Sequence, residues 1–211
     1  MKWHLETVEN VVDAVSKDQH LLTQCDQGVI GPLLRIWESQ QVGVVLGKGN
    51  VLDREVNMGQ CELDQVPIVR RCSGGGAVVI GPGCLCYSLI LPISYHEKLK
   101  TINGTNSWIM GKMARGLSDY FGMPIQVQGY TDLSLNTQKI SGNSQRRLRQ
   151  ALLFHGTILY QFDLDLISTY LHYPSRTPDY RNHRSHFDFI TQLPVDSQPQ
   201  LVDAVVSVWN S

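Results

Sequence analysis

Hydrophobic residues recur along this chain with two periods, one typical of helices and the other typical of strands. Apolar side chains at every third or fourth position predict helices over 8–26 and 101–121, and Gly122 with Pro124 ends the second helix. Apolar runs and apolar–polar alternation predict strands instead. The predicted strands are 33–37, 42–46, 67–71, 77–80, 84–91, 125–128, 131–135, 138–147 and 152–161.

Four further segments complete this pattern. Asp53 is expected to cap a helix that ends near Asp64, and Asp163 is expected to cap another. A final helix begins near Pro199, because proline suits the first helical turn. The segment 174–187 contains two prolines and several charges, which predicts a long loop. Helices mixed with clustered strands predict an α+β domain.

Length and composition are those of an ordinary globular chain. The 211 residues are 42% hydrophobic and 18% charged, which predicts one domain over 1–211 with a substantial core. A formal net charge of −1 gives no electrostatic basis for binding nucleic acid. The short basic run of Arg146, Arg147 and Arg149 is either a solvated strand face or a docking surface for an acidic protein.

Neither a signal peptide nor a membrane span is expected. No apolar segment follows Lys2, and no stretch approaches the ~20 apolar residues that a membrane span requires. Five cysteines without a disulfide framework favour reduced thiols in a cytoplasmic protein. The pairs Cys84/Cys86 and His183/His186 lack the complementary pair of a zinc site, so we interpret them as strand thiols and a polar loop.

One glycine-rich loop joins two predicted strands. It reads Arg70-Arg71-Cys72-Ser73-Gly74-Gly75-Gly76-Ala77-Val78-Val79, and three consecutive glycines are costly to order. Their N–H groups can converge on an anion, and an adjacent arginine adds donors suited to carboxylate or phosphate. The alternative interpretation is a tight turn between two strands.

Three more motifs follow the loop in order. They are Thr131-Asp132, then Lys139-Ile140-Ser141-Gly142, then His155-Gly156-Thr157. Together with the glycine loop they resemble the lipoate-protein ligase A family, within the larger biotin/lipoate ligase and octanoyltransferase group. The resemblance also covers 44–47, 55–57 and 180–186, and so spans about residues 20 to 190. It implies a mixed, mainly antiparallel sheet flanked by helices.

The resemblance implies a reaction that joins lipoate or octanoate to a lysine of a carrier. A carboxylate does not react with an amine at neutral pH, so the family's ligases first make an acyl-adenylate from ATP. The implied cofactors are ATP and Mg²⁺. The implied partner is a lipoyl carrier domain or the H-type carrier protein of glycine cleavage.

The resemblance also implies roles for individual residues. Lys139 matches the family's lysine and is expected to hold the α-phosphate and the acyl carbonyl oxygen together as the catalytic residue. Asp132 binds phosphate through Mg²⁺, orients the incoming amine, or serves only as an Asx-turn residue. The expected substrate- and nucleotide-binding residues are Arg71, Ser73, Gly74, Gly75, Gly76, Ala77, Val78, Asp132, Ser141, Gly142, His155 and Gly156.

The acyl chain requires an apolar tunnel beside these groups. Candidate walls are the strands at 33–37, 44–46 and 77–80. His155 is expected to shape the pocket rather than to shuttle protons, and Ser73 either donates a hydrogen bond or stabilises the turn.

The chain departs from the ligase pattern in two places. After the glycine loop the family usually has an aromatic residue and then His-Asp, whereas this chain has Val79-Ile80-Gly81-Pro82-Gly83. The missing His-Asp argues against the family's usual recognition of the nucleotide. The chain also ends soon after the catalytic domain, so an accessory domain would come from a separate partner chain.

Two alternatives stand beside the ligase hypothesis. Related transferases move octanoyl or lipoyl groups between carriers through a cysteine, and the two positions where relatives carry it hold Leu152 and Val127 here. Cys72 is the one cysteine expected near the site. The other alternative is a non-catalytic subunit that binds lipoyl groups. The ligase hypothesis leads because Lys139 stands in its motif.

Overall fold

The computed structural model describes residues 1–210 and has mixed α+β architecture. The strands are β1 (Lys2–Val8), β2 (Leu33–Ser39), β3 (Gly43–Leu46), β4 (Ile68–Arg70), β5 (Val78–Ile80), β6 (Cys84–Pro92), β7 (Ile125–Gln128), β8 (Asp132–Leu135), β9 (Gln138–Arg147) and β10 (Ala151–Leu159). The helices are α1 (Val11–Asp26), α2 (Leu52–Glu55), α3 (Met58–Leu63), α4 (Ile102–Phe121), α5 (Asp165–Tyr170), α6 (His186–Phe189) and α7 (Gln198–Asn210). Short 3₁₀ segments lie at Ile93–Tyr95, Glu97–Lys100 and Asp179–Arg181.

The strands form two sheets. The large sheet has the order β1-β2-β6-β10-β9-β8-β7, and only its β1–β2 pair is parallel. The small sheet has the order β4-β3-β5, with β3 parallel to β4 and antiparallel to β5. The prediction of a mixed, mainly antiparallel sheet flanked by helices is therefore confirmed.

Both faces of the central strand β6 are buried. Leu85, Tyr87, Leu89 and Leu91 belong to the main apolar core with α4 and α7. The opposite face contributes to smaller clusters that include α1, and one of these clusters also contains the strands of the small sheet. A strand covered on both faces lacks clean apolar–polar alternation, which explains the continuous apolar run in its sequence.

Several local predictions hold at residue resolution. The bounds predicted for β7 and β9 match the observed strands, and Gly122 ends α4 in the left-handed conformation with φ +64°. α7 begins one residue before Pro199. These features depend on neighbouring residues in the sequence, so local pattern was sufficient to find them.

Other predictions were wrong at the ends of elements. The helix predicted over 8–26 begins only at Val11, because Asn10 caps it, and residues 2–8 form a strand. The helix predicted from Asp53 is two short helices, and the side chain of Asn57 caps the second. The segment 174–187 contains a 3₁₀ turn at Asp179–Arg181 and reaches the start of α6, so it is not a plain loop.

The topology places the sequence motifs next to one another. β8, β9 and β10 are neighbours at one side of the large sheet, and they carry Asp132, Lys139 and His155. The glycine loop connects β4 to β5 of the small sheet, and Ser144 Oγ of β9 donates to Gly74 O at 2.9 Å. No helix among residues 1–210 combines the length and the apolar character needed to cross a membrane.

Candidate functional site

A cavity of about 350 Å³ lies between the glycine loop, strands β8 to β10 and the segment 171–190. Its apolar wall includes Trp37, Val45, Val79 and Ile80. The three strands proposed as tunnel walls therefore all reach this cavity. Polar groups from the sequence motifs line the remainder, so an apolar chain and a polar head group fit within one space.

Lys139 and Asp132 form an ion pair in this cavity. Lys139 Nζ lies 2.9 Å from Asp132 Oδ1, and the two side chains are 28% and 14% exposed. Tyr180 donates its hydroxyl hydrogen to Asp132 Oδ2 at 2.8 Å. Burial, together with the Asp132 charge, raises the pKa of Tyr180 far above its usual range, so this hydroxyl stays a donor. The pair fixes the direction of the ammonium.

Gly142 leaves room for the lysine. A Cβ atom at position 142 would lie 2.8 Å from both Cε and Nζ of Lys139, closer than real Cβ contacts. Gly142 pairs with Asp132 across β8 and β9, next to a register shift between Leu133 and Ser134. The Lys-x-Ser-Gly spacing therefore combines the ammonium with the space that it occupies.

Arg71 organises the glycine loop from within. Its guanidinium donates to Gly74 O at 2.6 Å, to Gly76 O at 2.8 Å and to Ser73 Oγ at 3.1 Å. Burial lowers the pKa of Arg71 to about 10, so the group remains charged at neutral pH. Because most of its donors are bonded to the loop, direct contact between Arg71 and a ligand stays a prediction.

The loop amides, in contrast, have no partners. Within residues 1–210, the N–H groups of Gly74, Gly75 and Gly76 donate no hydrogen bond, while the Gly74 and Gly76 carbonyls turn toward Arg71. Gly75 has φ +88°, a conformation that other residues rarely adopt. The chain thus presents unpaired donors of the type that bind anions.

His155 links the loop to helix α1. Its Nδ1 lies 3.1 Å from Asp18 Oδ2, and its Nε2 lies 2.6 Å from Ser73 Oγ. A carboxylate only accepts, so Nδ1 donates to Asp18. These contacts fix the ring between the glycine loop and helix α1, and the pocket-shaping role of His155 stays a prediction.

Asp18 and Arg35 were missed from the sequence. Arg35 donates to Asp18 Oδ1 at 2.6 Å, and Ser88 donates to Asp18 Oδ2 at 2.6 Å. Both members of the ion pair are almost fully buried, and Asp18 lines the cavity. One signal was available: Asp18 occupies an inward-facing position of α1, four residues before the buried Leu22.

Asn143 was also missed, and its contacts explain Ser141 and Gly156 of the sequence motifs. It donates to Ser141 Oγ at 3.0 Å and accepts from the buried Tyr87 hydroxyl at 2.5 Å. A Cβ at Gly156 would lie 1.8 Å from Asn143 Oδ1. Gly156 is therefore required for this side chain to lie across the neighbouring strand.

The cysteines differ from the expectation. Cys72 lines a separate cavity with Arg146 and Lys48, whereas Cys86 lines the cavity that contains Lys139. The expectation that Cys72 is the cysteine beside the site was therefore wrong. Burial raises the pKa of both thiols, that of Cys86 strongly, which disfavours the thiolate that a nucleophile requires.

The three arginines of the predicted basic run differ in their contacts. Arg147 donates to Leu99 O at 2.6 Å and to Thr105 Oγ1 at 3.2 Å, so it serves the fold. Arg146 and the exposed Arg149 form no ion pair within the described chain. The two interpretations of this run, solvated face or acidic-protein dock, therefore concern these two residues.

Asp132 offers a poor magnesium site. Its two carboxylate oxygens are bonded to the Lys139 ammonium and the Tyr180 hydroxyl, and a second cation there would face the ammonium. Among residues 1–210, no three His, Cys, Asp or Glu side chains cluster as metal ligands. The geometry favours Asp132 as the partner of Lys139.

The cavity gathers nearly all of the predicted site residues. Ser73 lies outside its lining as a buried bridge to His155, and Gly74 lines the separate cavity beside Cys72. The predicted residues in the lining are Arg71, Gly75, Gly76, Ala77, Val78, Asp132, Lys139, Ser141, Gly142, His155 and Gly156.

The close approach of Gly47 to the glycine loop gives a first prediction. A Cβ at position 47 would lie 2.1 Å from Gly75 O, a backbone atom that cannot move freely. We expect Gly47→Ala to lower the free energy of unfolding by about 1–3 kcal/mol. Gly49→Ala, with nothing within 4 Å of its Cβ, serves as the control, and urea unfolding measures both. Equal stability of the two variants would contradict the packing described.

These features define a class: α+β domains in which a glycine loop and a lysine share a cavity with an apolar wall. The chain matches the model of the lipoyl protein ligase A/B catalytic domain over residues 10–203. It therefore belongs to the lipoyl protein ligase A/B catalytic-domain family.

Curated relatives include both ligases and transferases. A probable lipoate-protein ligase A from Mycoplasma pneumoniae is 30% identical over 154 residues, which are 73% of this chain and 44% of that protein. The octanoyltransferase LipM from Halalkalibacterium halodurans is 26% identical over 192 residues, covering 80% of this chain and 68% of that protein. The chain thus spans less than half the length of the ligase relative.

Solved structures share the fold. Plasmodium falciparum LipL1 in complex with lipoate superposes with a TM-score of 0.78 at 20% identity, covering 99% of this chain and 61% of that one. A lipoate-protein ligase A bound with ATP superposes with a TM-score of 0.74 at 20% identity, covering 100% and 85%. The predicted biotin/lipoate ligase type of fold is confirmed.

Proposed function

We propose that this chain attaches lipoate or octanoate to a lysine of a carrier domain through an acyl-adenylate made from ATP. The single observation that carries the proposal is the shared cavity. The Lys139 ammonium, the unpaired amides of the glycine loop and an apolar wall all line or border the same space. An acid with an apolar tail and a reacting head group fits this combination.

In the first step a carboxylate oxygen attacks the α-phosphorus of ATP. The new P–O bond forms as the bond to pyrophosphate breaks, and pyrophosphate leaves. Lys139 is positioned to stabilise the negative charge on the phosphate and acyl oxygens, and Asp132 holds its ammonium in place. The Gly75 and Gly76 amides add fixed donors that need no reorganisation.

In the second step the neutral amine of the carrier lysine attacks the acyl carbon. The C–O bond to AMP breaks, AMP leaves, and the amide nitrogen releases a proton. The ATP-bound and lipoate-bound relatives of the same fold support the use of these two compounds. Nothing in the site requires a metal held by Asp132, so no step is assigned to one.

The second candidate is transfer of an octanoyl or lipoyl group between carriers without ATP. The similarity to an octanoyltransferase favours it. The cysteines weigh against it, because Cys86 is the thiol in the cavity and burial strongly raises its pKa. A transferase that uses a cysteine needs a thiolate at the acyl carbon.

One assay separates the two candidates. The chain is incubated with an apo lipoyl carrier domain and either lipoate plus ATP or octanoyl-carrier without ATP, and the carrier mass is measured. Acylation that requires ATP and releases pyrophosphate is the expected result. Transfer from octanoyl-carrier without ATP would support the transferase, and a Cys86→Ser variant would test its nucleophile. Acylation in neither reaction, with or without an accessory ligase chain, would contradict both.

A further inference from the structure

Arg181 is a buried arginine without a carboxylate partner. The residue is only 4% exposed, and its Nη2 has no hydrogen-bond acceptor. The guanidinium makes no ion pair within residues 1–210, and its Nε donates to Arg184 O at 2.9 Å. Burying a charge without an ion-pair partner costs free energy, so the arrangement indicates a role for this guanidinium.

The other two buried arginines show how unusual this is. Arg35 is bonded to Asp18 and Glu6, and Arg71 donates to three carbonyls and a hydroxyl of its surroundings. Arg181 alone among these three keeps an unsatisfied donor. Trp37 Nε1 is the other buried unsatisfied side-chain donor described, and it is neutral.

Two aromatic rings hold Arg181 in place. Its guanidinium carbon lies 4.6 Å from the Tyr173 ring centre and 4.8 Å from the Phe189 ring centre. Such contacts compensate part of the lost hydration, and Nη2 still lacks an acceptor. Burial lowers the pKa of Arg181 although Tyr173 acts in the opposite direction, and an arginine remains charged at neutral pH.

Arg181 belongs to the same site as Lys139. It lines the cavity that contains Lys139, and the preceding residue, Tyr180, donates to Asp132, the partner of Lys139. A guanidinium whose buried Nη2 lacks an acceptor therefore belongs to the lining around the proposed reacting groups. Arginine binds a carboxylate or phosphate through two parallel charge-assisted hydrogen bonds. A neutral thioester or amide cannot form this pair of bonds.

We infer that Arg181 binds an oxyanion of the ligand, either the carboxylate of the free acid or a phosphate of the nucleotide. This inference rests on the proposed function and deepens it. It assigns a ligand-binding cation besides Lys139 to the site of a chain that lacks the family's His-Asp pair. It also favours ionised substrates, which ligases use, over the neutral acyl groups of transferases.

The test measures binding of four probes by isothermal titration calorimetry: lipoate, lipoamide, AMP and inorganic pyrophosphate. Arg181→Met keeps an apolar side chain between Tyr173 and Phe189 but removes the charge. We expect it to weaken lipoate, or AMP and pyrophosphate, by at least about tenfold while lipoamide binding changes little. Loss confined to lipoate identifies the carboxylate, and loss confined to AMP or pyrophosphate identifies the phosphate.

Arg184→Gln is the matched control. Arg184 stacks on the same Phe189 ring and donates to Tyr180 O and Thr137 O, but it does not line the cavity. Its replacement is expected to leave the selectivity between lipoate and lipoamide unchanged. The melting temperature of Arg181→Met without ligand is expected to stay within about 4 °C of the wild type, because the lost charge had no partner.

Each outcome has one meaning. Equal weakening of lipoamide and lipoate, or no weakening of any probe, would overturn the role of Arg181 and leave the proposed function standing. Failure of the wild-type chain to bind lipoate, AMP or pyrophosphate would instead contradict the proposed function. If Arg181→Met does not fold, Arg181→Gln, which keeps a donor for Arg184 O, undergoes the same comparison.

Discussion

Replacing Lys139 by methionine is expected to lower ATP-dependent carrier acylation by about 10²–10³-fold. Methionine approximates the length of the side chain but removes the ammonium that pairs with Asp132. The ammonium is expected to act where negative charge develops on phosphate and acyl oxygens, and among residues 1–210 no other lysine lines this cavity. The rate of carrier acylation, followed by mass spectrometry under single-turnover conditions, measures the effect.

The same substitution is expected to change stability very little. The Lys139–Asp132 pair is partly exposed, and such pairs contribute less than about 1 kcal/mol. Asp132 also keeps its hydrogen bond from Tyr180. Lys100→Met is the control, because Lys100 is 62% exposed and forms a surface ion pair with Glu97. An acylation rate for Lys139→Met equal to that of the control would remove the central residue from the proposed mechanism.

Replacing Asp18 by asparagine is expected to destabilise the fold by about 3–5 kcal/mol. The change removes one of the two carboxylates bonded to the buried Arg35 guanidinium, Glu6 being the other, and the side chains of Asp18 and Arg35 are almost inaccessible to water. It also removes the carboxylate that orients His155 and accepts from Ser88. Urea unfolding measures the change, and Asp13→Asn on the exposed face of the same helix is expected to lie within about 0.5 kcal/mol of the wild type.

The stability difference between wild type and Asp18→Asn is expected to depend on pH. Burial alone would raise the pKa of Asp18, but His155, Arg35 and Ser88 together outweigh it and hold the pKa below its ordinary value. A lowered folded-state pKa gives stability that is complete above the unfolded value of about 3.9 and lost as pH falls through the folded value. The difference should therefore shrink below about pH 4. A constant difference from pH 7 to pH 3 would contradict the assigned role of the carboxylate.

Much of the site was predictable because its residues lie close together in the sequence. Lys139 and Gly142 share one strand, and the absence of a side chain at Gly142 leaves room for the lysine side chain. Three consecutive glycines predict the unpaired amides of the glycine loop. Their order along the chain was sufficient to predict the family and the fold, and both predictions are confirmed.

Most of the contacts that sequence reasoning missed join residues far apart in the chain. Asp18 meets His155 across 137 positions, and Tyr180 meets Asp132 across 48. Cys86 reaches the cavity because β6 pairs with β10, which places Cys86 opposite Thr157 of the His-Gly-Thr motif. No periodicity within a segment encodes such pairings.

The amino-acid pattern by itself determined the helices and strands of the interior, the order of the motifs and the presence of a lysine beside an anion-binding loop. Edge strand β1 escaped this pattern, because Trp3 and Leu5 remain exposed and its hydrogen bonds come from β2. Only the tertiary structure decided which charges are paired. Arg35 and Arg71 form hydrogen bonds within the fold, whereas Nη2 of Arg181 has no acceptor. The partners of a buried charge depend on every element that packs around it.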